Sequence, residues 1–451
     1  MKTQRINRQS GERNLTFHRE DNGNRSYRLL LWMLLTLAGV WLLLQIERGE
    51  VEPLFQPTPT PTRTAASHLL EAETHFQAGK IDDPFSENDA IGAYQRALAL
   101  NPQNAPVRAE YARILTYSSA TLTTTELRRA RLTQAREQIE QAVALTPDDS
   151  NVQAIYAFVL NWNANPLIAG DQATRLRYEA EQAAVRALQL DPNNTLALAF
   201  YAEILIDQQN WAQAEQYARQ AVALAPNSMD AHRVYGYVSE NFANYNAAIQ
   251  QYQMAAKITP NLTFLYIYIG LNYRTLAMRA ADKTQATPLY TQALDYFDRA
   301  AQLNKTLQIQ DPVPYIEIAK TYAQQGQFQI AARNAETALE YDPTNANTYG
   351  QLGSIYVQGR NYEGALPVLK CAVLGCTAEE NEVGAVAVQG LPLSSVTVAY
   401  YYLRYASVLA AQANCEQAYP ILEQLLQAYG DDAVIPAIVR ENYAICGQTP
   451  P

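Results

Sequence analysis

Histidine and cysteine are scarce in this sequence, with four of each among 451 residues. No histidine lies near a cysteine, and the cysteine spacing matches no zinc motif. His68 and His75 stand seven residues apart, on one face of a predicted helix. We therefore interpret them as part of an ordinary helix face and predict no metal site.

Motifs that carry catalysis or cofactor binding are also missing. The sequence has no glycine-rich phosphate loop, no Gly-x-Ser-x-Gly elbow and no paired-cysteine signature. We expect a protein that is not an enzyme and that binds no cofactor.

A long hydrophobic run occurs once, at Leu29–Ile46, and it is just long enough to cross a bilayer. Residues 1–28 contain seven Lys and Arg residues, and such positive flanks stay in the cytoplasm. The polar head of 28 residues disfavours a cleaved signal peptide. The sequence predicts a single-pass cell-membrane protein with a cytoplasmic head (1–28), a transmembrane helix (29–46) and an extracytoplasmic remainder.

The composition of residues 47–66 predicts a linker, because alternating Pro and Thr at 53–62 favours an extended chain.

The whole chain has a formal charge of −10 and the head carries +7 − 3 = +4, which leaves −14 after Arg28. This acidic balance argues against nucleic acid as a partner.

Prolines recur at a fixed period in the rest of the chain. Pro192, Pro226 and Pro260 stand 34 residues apart, and two amphipathic helix patterns lie between successive prolines. A period of this length is typical of a stack of similar helical units, each in contact with its neighbours.

The residues between the prolines resemble the tetratricopeptide repeat. The clearest unit contains Tyr349, Leu352, Gly353, Tyr356, Asn361, Tyr362, Ala365, Leu369 and Ala372. The resemblance implies an all-α, right-handed helical solenoid. It covers residues 67–430 in about nine helix-turn-helix units, with a capping helix and tail at 431–451.

Three units carry 45 − 34 = 11 extra residues, at Thr123–Thr133, Asp171–Tyr178 and Ala281–Thr291. Eleven residues make about three helical turns, so the buried face of a lengthened helix keeps its direction. We interpret these inserts as protruding hairpin tips, either solvated or in contact with a partner.

The family's first helices line a concave groove, where a partner is expected to bind. Tyr and Trp side chains are favoured binding anchors. The groove candidates are Arg113, Tyr117, Phe158, Trp162, Arg233, Tyr237 and Glu240, followed by Lys320, Ser354 and Gln358.

An even number of cysteines outside the cytoplasm favours disulfides. The positions in the predicted helices suggest Cys415–Cys446, at one rim of the stack, and Cys371–Cys376, at the opposite rim. Four reduced, buried thiols are the alternative.

An irregular insert, Thr377–Val396, interrupts the repeats, and it is either functional or mobile.

We predict a membrane-anchored scaffold that binds protein or peptide partners through the concave surface. A glycan- or solute-binding ectodomain and an assembly factor for envelope proteins are the alternatives.

Overall fold

The structure is a computed structural model that describes residues 25–48, 63–83, 86–122 and 124–449. Most of the predicted head and linker, together with Thr123, lies outside these residues. The chain forms two compact bodies, Met1–Thr62 and Arg63–Pro451. The first contains one described helix, α1 (Arg25–Glu47), and its segment Ser26–Ile46 is long and apolar enough to cross a membrane. Membrane anchors and signal sequences share these properties.

The second body contains nine helix pairs and a final helix among its described residues, which confirms the predicted solenoid. The pairs, units 1 to 9, are α2 (Ala65–Gln77) with α3 (Ala90–Leu100); α4 (Ala105–Ser119) with α5 (Thr125–Leu145); α6 (Ser150–Asn163) with α8 (Ala173–Leu190), the short α7 (Pro166–Ala169) lying between them; α9 (Thr195–Asp207) with α10 (Trp211–Leu224); α11 (Met229–Asn241) with α12 (Tyr245–Ile258); α13 (Thr263–Arg279) with α14 (Lys283–Leu307); α15 (Val313–Gln324) with α16 (Phe328–Tyr341); α17 (Ala346–Gln358) with α18 (Tyr362–Val373); and α19 (Val396–Ala411) with α20 (Cys415–Tyr429). The final helix is α21 (Ile435–Ile445).

The periodic prolines act together with a polar residue two positions later. Pro192 follows the end of α8, and Asn194 then caps α9 by accepting the Ala197 N–H at 3.0 Å. Ser228, two residues after Pro226, caps α11 in the same way. Proline cannot continue a helix and a side-chain oxygen satisfies a free N–H of the next one, so the tripeptide ends one helix and starts another.

Glycines in the first helices allow neighbouring helices, of the same unit or of the next one, to approach closely. A Cβ at Gly236 would stand 2.8 Å from the Tyr252 ring, and one at Gly350 would collide with Tyr401 of the next unit. The family's small and aromatic positions therefore fit together as complementary shapes.

Two of the predicted inserts appear as longer second helices, α5 and α14, and the third, Asp171–Tyr178, forms a short 3-10 turn and the start of α8. Helix α14 has 25 residues against 14 in α10, a difference of 11 that matches the insert length. Arg131 in α5 pairs with Asp82 at 2.5 Å, so the lengthened α5 also contacts unit 1.

Both predicted disulfides are confirmed, with Cα–Cα distances of 4.7 Å for Cys371–Cys376 and 5.8 Å for Cys415–Cys446. The insert 377–396 has a defined conformation. Asn381 donates to the Tyr349 hydroxyl at 2.7 Å, and the Tyr402 hydroxyl donates to the Leu391 carbonyl at 2.8 Å.

Candidate functional site

The first helices of the nine units form what we call the inner surface, where the sequence predicts a groove. In units 2 to 5 this surface is filled by its own side chains. Tyr117 is 0 % exposed, Phe158 1 % and Arg233 4 %. Arg113, Trp162, Tyr237 and Glu240 are half-buried.

Tyr117 of α4 lies at the centre of an aromatic cluster. Its ring centroid lies 6.1 Å from Phe76 (unit 1), 5.2 Å from Phe158 (unit 3), 6.0 Å from Trp162 (unit 3) and 5.7 Å from Phe264 (unit 6). Aromatic pairs at such distances stabilise a fold beyond the area they bury. One side chain therefore joins units that are far apart in sequence.

A network of charges surrounds the Tyr117 hydroxyl. This hydroxyl donates to Asp230 and accepts from Arg233 Nε at 3.2 Å. Asp230 also pairs with Arg113 at 3.0 Å, although 117 residues separate the two in sequence. Arg233 makes two hydrogen bonds to Glu203, of 3.1 and 2.7 Å, a bidentate geometry that gives strong charge-assisted pairing.

The electrostatics keep Arg233 charged and Tyr117 neutral. Burial raises the pKa of Tyr117 well above its ordinary value. Burial is the largest single effect on Arg233 and disfavours its charged form, but Glu203, Tyr117 and Asp230 together outweigh it, and the pKa of Arg233 lies well above its ordinary value.

Tyr237 and Glu240 belong to two smaller polar clusters. The Tyr237 hydroxyl donates to Asp207 at 2.8 Å. Glu240 accepts from the Tyr252 hydroxyl at 3.1 Å and from Asn272 at 3.0 Å. Both side chains already have partners within the chain.

The rims of units 1 and 6 are in contact. A Cβ at Gly79, after α2, would collide with Asn261, just before α13. Units 1 to 6 therefore make contacts beyond their immediate neighbours, and the prediction of a simple stack is corrected here.

The prediction that Tyr117, Phe158 and Arg233 are accessible anchors is corrected as well, because these side chains are buried against each other.

Asp311, in the loop before α15, is a buried carboxyl. It accepts the Val313 N–H at 3.0 Å and lies 3.4 Å from the Asn304 amide nitrogen. Burial raises the pKa of Asp311 from 3.8 to about 6.

Replacing Asp311 by asparagine should stabilise the protein near neutral pH. In the unfolded chain Asp311 ionises above pH 3.8, whereas the folded site resists ionisation until about pH 6. Stability therefore falls as pH rises through this window, and the loss persists above it. We expect D311N to raise the unfolding free energy by about 1–3 kcal/mol at pH 7.5 and by almost nothing at pH 3.5, measured by chemical denaturation. An equal gain at both pH values would contradict this account.

Units 7 to 9 present a different inner surface. Helices α15, α17 and α19 surround an accessible depression of about 290 Å³. Its lining is Lys320, Ala323, Gln324, Gln351, Ser354, Ile355, Gln358, Tyr401 and Arg404. Ala323 supplies apolar surface together with the small exposed parts of Ile355 (5 %) and Tyr401 (4 %), and two cations and several amides supply polar groups. This combination is typical of a binding site.

The sequence predicts three members of this lining, Lys320, Ser354 and Gln358, and the structure brings them together. It does not predict Tyr401 and Arg404. Tyr402, Tyr405 and Ala406 are repeat residues of the same helix. Counting from them could have placed Tyr401 and Arg404 on the face towards the groove.

The fold and this depression define a helical-repeat protein with a binding surface. A family profile described as tetratricopeptide repeat matches residues 178–228, 202–262 and 316–375. The chain therefore contains tetratricopeptide repeats, as the resemblance implies.

A solved structure shares the fold, and a second is similar at a lower TM-score. The human IFIT1 dimer with PPP-AAAA is similar at 14 % identity, over 86 % of this chain and 91 % of that chain, with a TM-score of 0.51. The APC/C hetero-tetramer Cut9–Hcn1 is similar at 15 % identity, over 84 % of this chain and 68 % of that chain, with a TM-score of 0.49. No curated protein matches the sequence. At these identities the likeness concerns the fold alone.

Proposed function

We propose that this protein is a non-catalytic, membrane-anchored scaffold that binds a segment of a partner protein on the inner surface of units 7 to 9. One observation carries the proposal. The inner side chains of units 2 to 5 bond to each other, whereas those of units 7 to 9 surround an accessible depression. Tetratricopeptide folds serve as preformed surfaces for protein partners, and no catalytic constellation accompanies this one in the described part of the chain.

The membrane anchor and the cellular compartment of the repeats are inferred from different features of the chain. Helix α1 is apolar enough for a membrane span, and the seven cations of residues 1–28 favour a cytoplasmic N-terminus. Two disulfides in the repeat region favour an oxidising compartment for its C-terminal units. We place the repeats outside the cytoplasm.

The alternative of a glycan-binding ectodomain requires exposed aromatic rings in one pocket. The aromatic cluster around Tyr117 is buried, so a sugar ring does not reach it. A role in assembling envelope proteins uses the same binding surface and is a special case of the proposed scaffold.

Site-specific photo-crosslinking in living cells tests this function. We replace Gln358, which lines the depression, by p-benzoylphenylalanine in the full-length protein. The control carries the same replacement at Arg333, which is exposed on the second helix of unit 7. We expect one partner protein to be crosslinked from Gln358 and from Gln324 but not from Arg333, and the purified partner to bind the purified protein. Equal crosslinking from Arg333, or none from Gln358, would contradict the proposal.

A further inference from the structure

Arg404 of α19 lies in the depression and has no carboxylate partner. Among the described residues, its guanidinium takes part in no ion pair or hydrogen bond. The guanidinium carbon lies 5.8 Å from the centroid of the Tyr400 ring. The side chain is half-buried. A guanidinium that has lost part of its water and gained no counter-charge is left with unused donors.

Three other arginines of the first helices are paired with carboxylates. Arg113 pairs with Asp230 at 3.0 Å, Arg233 with Glu203 at 2.7 Å and Arg274 with Glu317 at 2.5 Å. Arg404 differs from these three because, among the described residues, no carboxylate pairs with its guanidinium.

The titration behaviour agrees with the geometry. Burial lowers the pKa of Arg404, with opposition from the Tyr401 and Tyr400 side chains alone. The pKa of Arg233, by contrast, is held above its ordinary value by Glu203 despite burial.

Lys320, on the opposite wall of the depression, adds to the positive charge. It pairs with Glu317 at 2.8 Å, but Glu317 also pairs with Arg274. Arg274 and Lys320 share the Glu317 carboxylate, and Arg404 pairs with none among the described residues, so these three cations exceed that carboxylate by 3 − 1 = 2 positive charges. This excess lies in a chain whose formal net charge is −10.

We propose that Arg404 binds the carboxylate of an acidic residue in an extended segment of the partner protein. This inference rests on the proposed function and specifies the chemistry of its ligand. The planar guanidinium can form two parallel hydrogen bonds to a carboxylate. Ala323 contacts an apolar side chain beside the acidic residue, and the amides of Gln351 and Gln358 lie within the same lining to bond the peptide backbone.

A positional-scanning library of immobilised decapeptides, probed with the full-length protein in nanodiscs, tests the inference. We expect one position to favour Asp and Glu over Asn and Gln. The variant R404Q should lose this preference, with about tenfold to hundredfold weaker binding to the acidic peptides. R404K should recover part of the affinity, because it restores the charge without the bidentate geometry.

The matched control is Arg333→Gln, an exposed arginine outside the depression, which should leave the preference unchanged. Because Arg404 has no ion pair to lose, R404Q should unfold at the same denaturant concentration as the wild type, so weaker binding does not reflect misfolding.

An acidic preference that survives R404Q, the absence of any acidic preference, or preferential binding of an added 5′-triphosphate oligonucleotide would each overturn the inference. The proposed function survives such a result if the Gln358 crosslink to a protein partner persists. It fails with the inference if Gln358 crosslinks nothing.

Discussion

Replacing Tyr117 by alanine should lower the unfolding free energy of the repeat region by about 3–5 kcal/mol. The side chain is completely buried, and its ring contacts aromatic residues of units 1, 3 and 6. Its removal leaves a cavity and also leaves the Asp230 carboxylate and Arg233 Nε without their shared hydroxyl partner. Chemical denaturation followed by circular dichroism measures the change.

Two further variants separate the causes. Y117F retains the ring but removes the hydroxyl, and we expect a loss of about 1–3 kcal/mol because a buried charged group loses a hydrogen bond. Y178A changes a tyrosine that is 62 % exposed and should cost less than about 0.5 kcal/mol. If Y117A costs no more than Y178A, the cluster does not hold units 1 to 6 together.

Breaking Cys415–Cys446 with the double serine variant should destabilise the C-terminal units by about 3–4 kcal/mol. The bond spans 31 residues, and a crosslink of that span restricts the unfolded chain considerably. It also attaches α21, which has packing partners on one side only, to the start of α20. We expect α21 to exchange its amide hydrogens rapidly in this variant.

The second disulfide provides an internal comparison. Cys371–Cys376 spans only five residues, and its removal should cost about 2 kcal/mol, less than the removal of the longer link. The reverse order of the two effects would contradict the argument from chain entropy.

The local structure of the repeats could be predicted from the sequence because it depends on short-range rules. The proline period marks helix ends, and residues such as Asn194 and Ser228 supply caps at fixed offsets. The disulfide pairs could be predicted from the positions of the cysteines in the predicted helices, which put Cys415 and Cys446 at the same rim of the stack.

The contact between units 1 and 6 could not be predicted in this way. It depends on the rotation between successive units, which accumulates over more than 100 residues and which no local pattern encodes. Tyr117 and Arg233 therefore looked like exposed binding residues, although Asp230 and Phe264 approach them from distant units. Arg404 went unnoticed for a related reason. Among the described residues it forms no ion pair, and this becomes visible only once the packing of the helices shows which carboxylates come within reach.

Hydrogen–deuterium exchange of the full-length protein, with and without the partner identified by crosslinking, tests the central claim most directly. The account predicts slower exchange on binding in α17 and α19, residues 346–358 and 396–411, and no change in α4 and α11, residues 105–119 and 229–241. Protection of α4 and α11 without protection of α17 and α19 would show that the filled part of the inner surface opens to bind the partner, and would contradict the account.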